Sequence, residues 1–127
     1  MLRVVTYFGG VILGIFFIFF GLNGFFNFAP SEHFTGCALQ VVDSLKSTHY
    51  FFHLLNGMEV IAGLTILLNK YKRLGLVILA PILINIILFH LFLMPLVTSI
   101  IPVCLLILWV IQVFEEKRFF TLLFKSY

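Results

Sequence analysis

Four long apolar runs constrain this chain more than any other feature of its sequence. They cover about residues 4–28, 48–69, 74–94 and 98–114 of 127. A helix needs about 20 apolar residues to cross the hydrocarbon core of a bilayer, so each run predicts a transmembrane helix. Because the links between the runs are short, we expect a single all-α domain, a four-helix transmembrane bundle with a short amphipathic outer helix between the first and second spans.

The composition indicates that the lipid bilayer is the main partner of this chain. Apolar residues make up 62% and charged residues 10%, against about 45–50% and about 25% in soluble domains. The net charge of +3 is not arranged as the basic stripe that nucleic-acid binding requires, so we expect no nucleic-acid partner. A membrane protein partner or a second copy of the chain stays open. Cys37 and Cys104 form no C-x-x-C pair, and we expect structural or inert roles for both.

The basic residues predict an orientation. If the four helices alternate, seven of the eight Lys and Arg residues fall on one side, and only Lys46 lies opposite. Cytoplasmic loops of membrane proteins are enriched in Lys and Arg, so both termini and the middle loop are predicted to be cytoplasmic. The seven residues are Arg3, Lys70, Lys72, Arg73, Lys117, Arg118 and Lys125.

Two segments outside the spans are amphipathic. In the segment 30–47, apolar residues such as Phe34, Ala38 and Leu45 recur at helical spacing, and Pro30 and Ser31 supply a start signal. This helix is predicted either to anchor the chain at the outer membrane surface or to cover whatever the bundle encloses. The tail 115–127 is expected to lie on the inner surface.

Polar residues inside the spans are the candidate site. Glu59 lies eleven residues before Lys70, about 16 Å above the inner charges and therefore near mid-membrane. A carboxyl group at that depth is costly and should face the bundle interior. We predict a pocket open to the outside, with Glu59 at its floor as the catalytic residue and an inner half that is almost purely aliphatic and aromatic. The ligand-binding candidates are His53, Asn56, Asn85, His90 and Asn23.

Two details limit this pocket. Asn85 and His90 are about 140° apart around the third helix, so they border one pocket only from opposite edges, and one of them could instead bind a backbone carbonyl. Two His and one Glu offer metal-binding atoms, but tight ligand spacing such as H-E-x-x-H is absent, and no metal site is predicted.

Three sequence stretches resemble the DoxX family of small four-helix bacterial membrane proteins. They are Gly14–Phe28, Asn56–Leu68 and Leu79–Phe92, and their most specific elements are Glu-x3-Gly from Glu59 and Pro-x3-Asn-x4-His from Pro81. The resemblance covers nearly the whole chain and implies a bacterial inner-membrane protein associated with redox systems, such as thiosulfate:quinone oxidoreductases. Glu59, Asn85 and His90 match characteristic positions, whereas Asn23-Gly24 stands where many members have Lys.

Three functional hypotheses follow from the sequence. The first is a DoxX-like protein whose outward-facing pocket binds a small lipophilic or redox-active molecule, a quinone-like cofactor being the first choice, with Glu59 exchanging a proton that His53 or His90 passes to outer water. The second is a non-enzymatic accessory or assembly subunit whose glycine-rich first helix packs on a partner. A proton-coupled exporter ranks last because the inner half offers no polar path.

Overall fold

A computed structural model describes residues 2–27, 34–123 and 125, and throughout these the fold is helical without strands, which confirms the all-α prediction. A short 3-10 turn, Leu96–Ser99, leads into the fifth helix. The helices are α1 Leu2–Phe26, α2 Gly36–Lys46, α3 Phe51–Leu68, α4 Lys72–Leu93, α5 Ile100–Glu115 and α6 Lys117–Leu123.

The four predicted spans correspond to α1, α3, α4 and α5. Together with the turn before α5, these helices are long and apolar enough to cross a membrane. The chain is therefore a multi-pass membrane protein with a four-helix bundle. Residue 28 of the first predicted span, Pro30 and Ser31, and Phe124, Ser126 and Tyr127 of the predicted tail lie outside the described residues. The amphipathic helix begins at Gly36, after an extended Thr35, and is therefore shorter than the predicted segment 30–47.

Glycines set the separation of α1 and α3. A Cβ atom added at Gly63 would lie 2.6 Å from the carbonyl oxygen of Gly14, and one added at Gly14 would lie 2.9 Å from the carbonyl oxygen of Gly63. Gly21 lies equally close to the backbone of Asn56. Close backbone approach at small residues is the usual way in which membrane helices associate. These glycines of α1 therefore pack inside the bundle.

The core lies where all four long helices meet. Leu13 and Phe17 of α1, Leu79 and Leu83 of α4, and Leu105 of α5 are buried there. The outward faces keep large hydrophobic side chains exposed along every span. Lipid tails are as apolar as these side chains, so a bilayer can surround hydrophobic side chains on the outer faces of the helices.

Two ion pairs join one end of α4 to the end of α5. Lys72 Nζ lies 2.5 Å from a Glu115 carboxylate oxygen, and Arg73 Nε lies 2.7 Å from Glu116. Nearby, the indole N–H of Trp109 donates to the carbonyl of Leu76 at 2.9 Å. We call this the cationic end of the bundle, because the other Lys and Arg residues of the bundle except Lys46 also flank it.

The half of the bundle near the cationic end, predicted to be almost purely aliphatic and aromatic, also holds a buried polar side chain that the prediction did not name. Gln112 of α5 is fully buried, and its Nε2 donates to the carbonyl of Thr6 at 2.7 Å. The amide fits because Gly9 and Gly10 of α1 leave it room. Its Oε1 has no hydrogen-bond partner within the described part of the chain.

Helix α2 lies across the opposite end of the bundle. Its Ala38 and Val42 are buried against the long helices, and the ring of Phe34, just before it, meets the ring of Phe89 edge-on with centroids 5.7 Å apart. The amphipathic outer helix of the prediction thus exists. Its residues line both cavities described below, as the covering role requires, and the choice between anchoring and covering stays a prediction.

Candidate functional site

Two cavities border α2 and share part of their lining. The polar cavity, about 490 Å³, is bordered by the end of α1, by α2 and by the start of α3. The apolar cavity, about 830 Å³, lies between α2, α3 and α4. Both volumes fall within the range of about 300–1,000 Å³ that is typical of small-molecule sites. The side chains of Phe34, Val42, Leu45 and Phe52 border both cavities.

The polar cavity brings two of the predicted site residues together. His53 and Asn56 line it, one helical turn apart on α3. The imidazole of His53 is exposed and stacks on the ring of Phe25 with centroids 5.7 Å apart. Asn56 is buried, with 9% of its surface exposed, and its side chain lies directly against Gly24 of α1, where any Cβ atom would collide with it.

Among the predicted site residues, Asn85 alone lines the apolar cavity in the described part of the chain. Its remaining walls within the described residues are aliphatic or aromatic, including Met58 from α3 and Phe89 from α4. The Nδ2 of Asn85 donates to the carbonyl of Pro81, one turn earlier, at 3.0 Å. A side-chain amide has two N–H groups and one oxygen. The second N–H and Oδ1 of Asn85 therefore remain available to the cavity.

Glu59 lines neither cavity. It is buried, with 8% exposed, on the face of α3 that also carries Ala62, Gly63 and Ile66. No hydrogen bond to its carboxyl group is found within the described part of the chain. The predicted inward orientation is present, but Glu59 is not the floor of an open pocket, because Asn56 one turn away lines the polar cavity in its place.

His90 and Asn23 also lie outside both cavities. His90 is buried on the core face of α4, with its Nδ1 2.8 Å from the carbonyl of Ile86. Asn23 is half-buried near the end of α1, where its carbonyl accepts the backbone N–H of Asn27 at 2.7 Å. On α4, the side chains of Asn85 and His90 both bind backbone carbonyls. The sequence analysis suggested such a bond for only one of them.

The single pocket predicted from the sequence is therefore wrong in its geometry. The structure joins His53 with Asn56, puts Asn85 in a second cavity, and keeps Glu59, His90 and Asn23 in neither. The physical reason lies in the faces of α4. His90 shares the core face with Leu83, whereas Asn85 shares an exposed flank with Pro81, so the two side chains cannot border one space.

Several residues of the polar cavity were not among the predicted ligands. Asn27 falls near the end of the first predicted span, Lys46 near the end of the predicted amphipathic segment, and His49 and Tyr50 at the start of the second predicted span. For Lys46, His49 and Tyr50, the signal that could have identified them is a group of hydrogen-bond donors just before the first residue of a long helix, whose terminal N–H groups lack intrahelical partners.

Across the described ranges, no three His, Cys, Asp or Glu side chains lie together as metal ligands. Cys37 and Cys104 are both exposed and free.

Comparisons with protein-family models, with curated proteins and with solved structures find no match to this chain. The resemblance to the DoxX family therefore stays a prediction that rests on the sequence elements around Glu59, Asn85 and His90.

Proposed function

We propose that this protein binds a lipophilic molecule with a carbonyl group, a quinone being the first example, in the apolar cavity beside α2. The observation that supports the proposal is a large cavity whose described lining is aliphatic and aromatic except for the amide of Asn85. Binding sites for small molecules typically combine such walls with a few polar groups that orient the ligand. The apolar part of the ligand would occupy the space between Met58 and Phe89.

The amide of Asn85 suits both redox states of a quinone. Its second N–H can donate to a quinone carbonyl, and its Oδ1 can accept from a quinol hydroxyl. The hydrogen bond to Pro81 fixes the amide in position before the ligand arrives. In this proposal the chain binds and orients the ligand within a membrane oxidoreductase system. The proton exchange predicted for Glu59 is not needed for binding.

Photoaffinity labelling tests this function. The purified full-length chain, reconstituted in lipid nanodiscs, would be labelled with a short-chain azidoquinone and the modified peptides mapped by mass spectrometry. We expect labels on the apolar-cavity walls and competition by unlabelled quinone. Asn85→Leu should weaken competition about 3- to 10-fold, the value of one hydrogen bond.

Gln40→Leu is the matched control, because Gln40 is an exposed amide on α2 that lines neither cavity. Its competition curve should equal that of the wild type. Labels scattered over the lipid-facing helix surfaces, or an unchanged affinity in Asn85→Leu, would contradict the proposal.

A second candidate is an accessory or assembly subunit of a membrane complex, as the sequence also suggested. It is favoured by one observation: the polar groups of Asn85 and His90 already bind carbonyls of their own helix. The two candidates differ in quinone labelling of the apolar cavity and in co-purification. A stable larger complex and no quinone labelling would favour the accessory role.

We also propose membership of the DoxX family and an inner-membrane location with cytoplasmic termini. The Glu-x3-Gly and Pro-x3-Asn-x4-His elements support the first, and the positions of Lys and Arg support the second.

A further inference from the structure

The polar cavity is rich in hydrogen-bond donors. Lys46 contributes an ammonium group, His49 and His53 imidazoles, and Tyr50 a phenol, while no carboxylate is among its described lining residues. Lys46 takes part in no ion pair with any residue of the described ranges, and its side chain is exposed. A cavity with one unpaired cation and several donors is complementary to an anion.

The start of α3 adds backbone donors to the same space. The N–H of Phe51 donates to Thr48 Oγ1 at 3.2 Å, and the N–H of Leu54 donates to the carbonyl of Tyr50 at 3.0 Å. Between them, the N–H groups of Phe52 and His53 have no partner within the described part of the chain, and both residues line the cavity. The amino end of a helix carries a partial positive charge and presents free N–H groups, which suits oxyanions.

Asn56 gives an independent indication that a polar ligand belongs here. It is nine-tenths buried, lines the cavity, and its side-chain amide has no hydrogen-bond partner among the described residues. The amide atoms of Asn56 are not among the enclosed, unpaired polar atoms of the described residues, so they face the space of the cavity, where a ligand or water can meet them. Gly24 holds this amide in place, because any side chain at that position would displace it.

The carboxyl end of α2, which borders the same cavity, does not offset these donors with free carbonyl groups. The last carbonyls of α2 are taken up locally: Asp43 accepts the N–H of Ser47 at 3.0 Å, Leu45 that of Thr48 at 3.3 Å and Lys46 that of His49 at 3.1 Å. The cavity therefore lies between an occupied carboxyl end of α2 and an open amino end of α3.

We infer that the polar cavity binds a phosphate-type oxyanion, carried either by a lipid headgroup or by free phosphate. The oxyanion lies among Lys46, the free N–H groups of Phe52 and His53, and the amide of Asn56. The cavity opens at the end of the bundle, where both the headgroup layer and water are in reach. This site is separate from the apolar cavity and does not depend on the ligand proposed there.

Calorimetric titration of the full-length chain in phosphate-free maltoside micelles tests the inference with two probes. One is inorganic phosphate, and the other is dihexanoyl phosphatidylglycerol below its micelle concentration. Lys46→Gln should weaken the binding of whichever probe binds the wild-type chain by at least fivefold. Asn56→Asp keeps the side-chain volume but adds a carboxyl group, and should weaken binding at least tenfold.

Lys70→Gln is the control, since Lys70 is an exposed lysine at the cationic end. Its binding should equal that of the wild type, and circular dichroism should show equal helicity in all variants. If phosphate binds, alone or together with the lipid, free phosphate is a sufficient ligand. If only the lipid binds, the ligand is a lipid headgroup. Each of these results supports the proposed site. The inference is overturned if neither probe binds, if Lys46→Gln binds like the wild type, or if Lys70→Gln is weakened equally.

Discussion

Two glycines of α3 differ sharply in what surrounds them, and this difference is testable. A Cβ atom at Gly63 would lie 2.6 Å from the Gly14 carbonyl oxygen and 3.0 Å from the Ile18 nitrogen, whereas at Gly57 no atom lies within 4 Å. Gly63→Ala must therefore separate α1 from α3, and we expect it to lower the free energy of unfolding by about 1–3 kcal/mol. Gly57→Ala should be neutral or stabilising by up to about 1 kcal/mol because alanine favours helix.

Denaturant unfolding of the two purified variants in micelles, followed by circular dichroism, measures both effects. Equal stabilities of Gly63→Ala and Gly57→Ala would show that the backbone contact does not control the packing of these helices.

At the level of single residues, the sequence identified several of the buried polar residues in the spans, but it did not predict which of them share a cavity. The cost of a carboxyl group in lipid predicted that Glu59 faces inward, and it does. Helical periodicity gives the angle between Asn85 and His90 on α4 but not which neighbour each one faces, so their separation into core and cavity needed the tertiary structure. Gln112 was missed because it lies one turn from Glu115 and Glu116, where a polar residue is usually interfacial.

Among the elements, α4 and α5 are joined by charge at the cationic end. Lys72 is buried, but its partner Glu115 is 40% exposed, so solvent screens much of the attraction. A double-mutant cycle with Lys72→Gln and Glu115→Gln should give a coupling energy of about 1 kcal/mol at low salt. The coupling should fall in 1 M NaCl, where the screening length is only about 3 Å. Thermal unfolding in micelles measures it, and a coupling of zero at low salt would mean that the two helices are joined by packing alone.

The elements themselves were largely predictable, whereas their ends were not. Long apolar runs identify α1, α3, α4 and α5, because only helices satisfy the backbone within lipid. The ends depend on local backbone geometry: Asn69, just after α3, is left-handed with φ of 62°, a common way to terminate a helix. The turn Leu96–Ser99 is 3-10 where the sequence predicted the start of the fourth span. Only the tertiary structure shows that α2 borders two cavities.

The whole molecule has a strongly asymmetric charge distribution, and this predicts its orientation in the membrane. Arg3, Lys70 and Lys117 flank the cationic end, whereas α2 with Lys46 lies at the other end. The positive-inside rule counts Lys and Arg and gives little weight to Asp and Glu, so the ion pairs to Glu115 and Glu116 do not weaken the prediction. The cationic end should face the cytoplasm and α2 the outside.

Cysteine labelling in intact cells measures this orientation with residues that the chain already has. Cys37 is exposed on α2, so in a Cys104→Ser background a membrane-impermeant maleimide should label it from outside. With both native cysteines replaced by Ser, the Lys70→Cys variant should be labelled only after the membrane is permeabilised. The opposite labelling pattern would show that the protein has the inverse orientation in the membrane. The polar cavity would then open to the cytoplasm, and the ligands of that compartment would be the ones to test against Lys46 and Asn56.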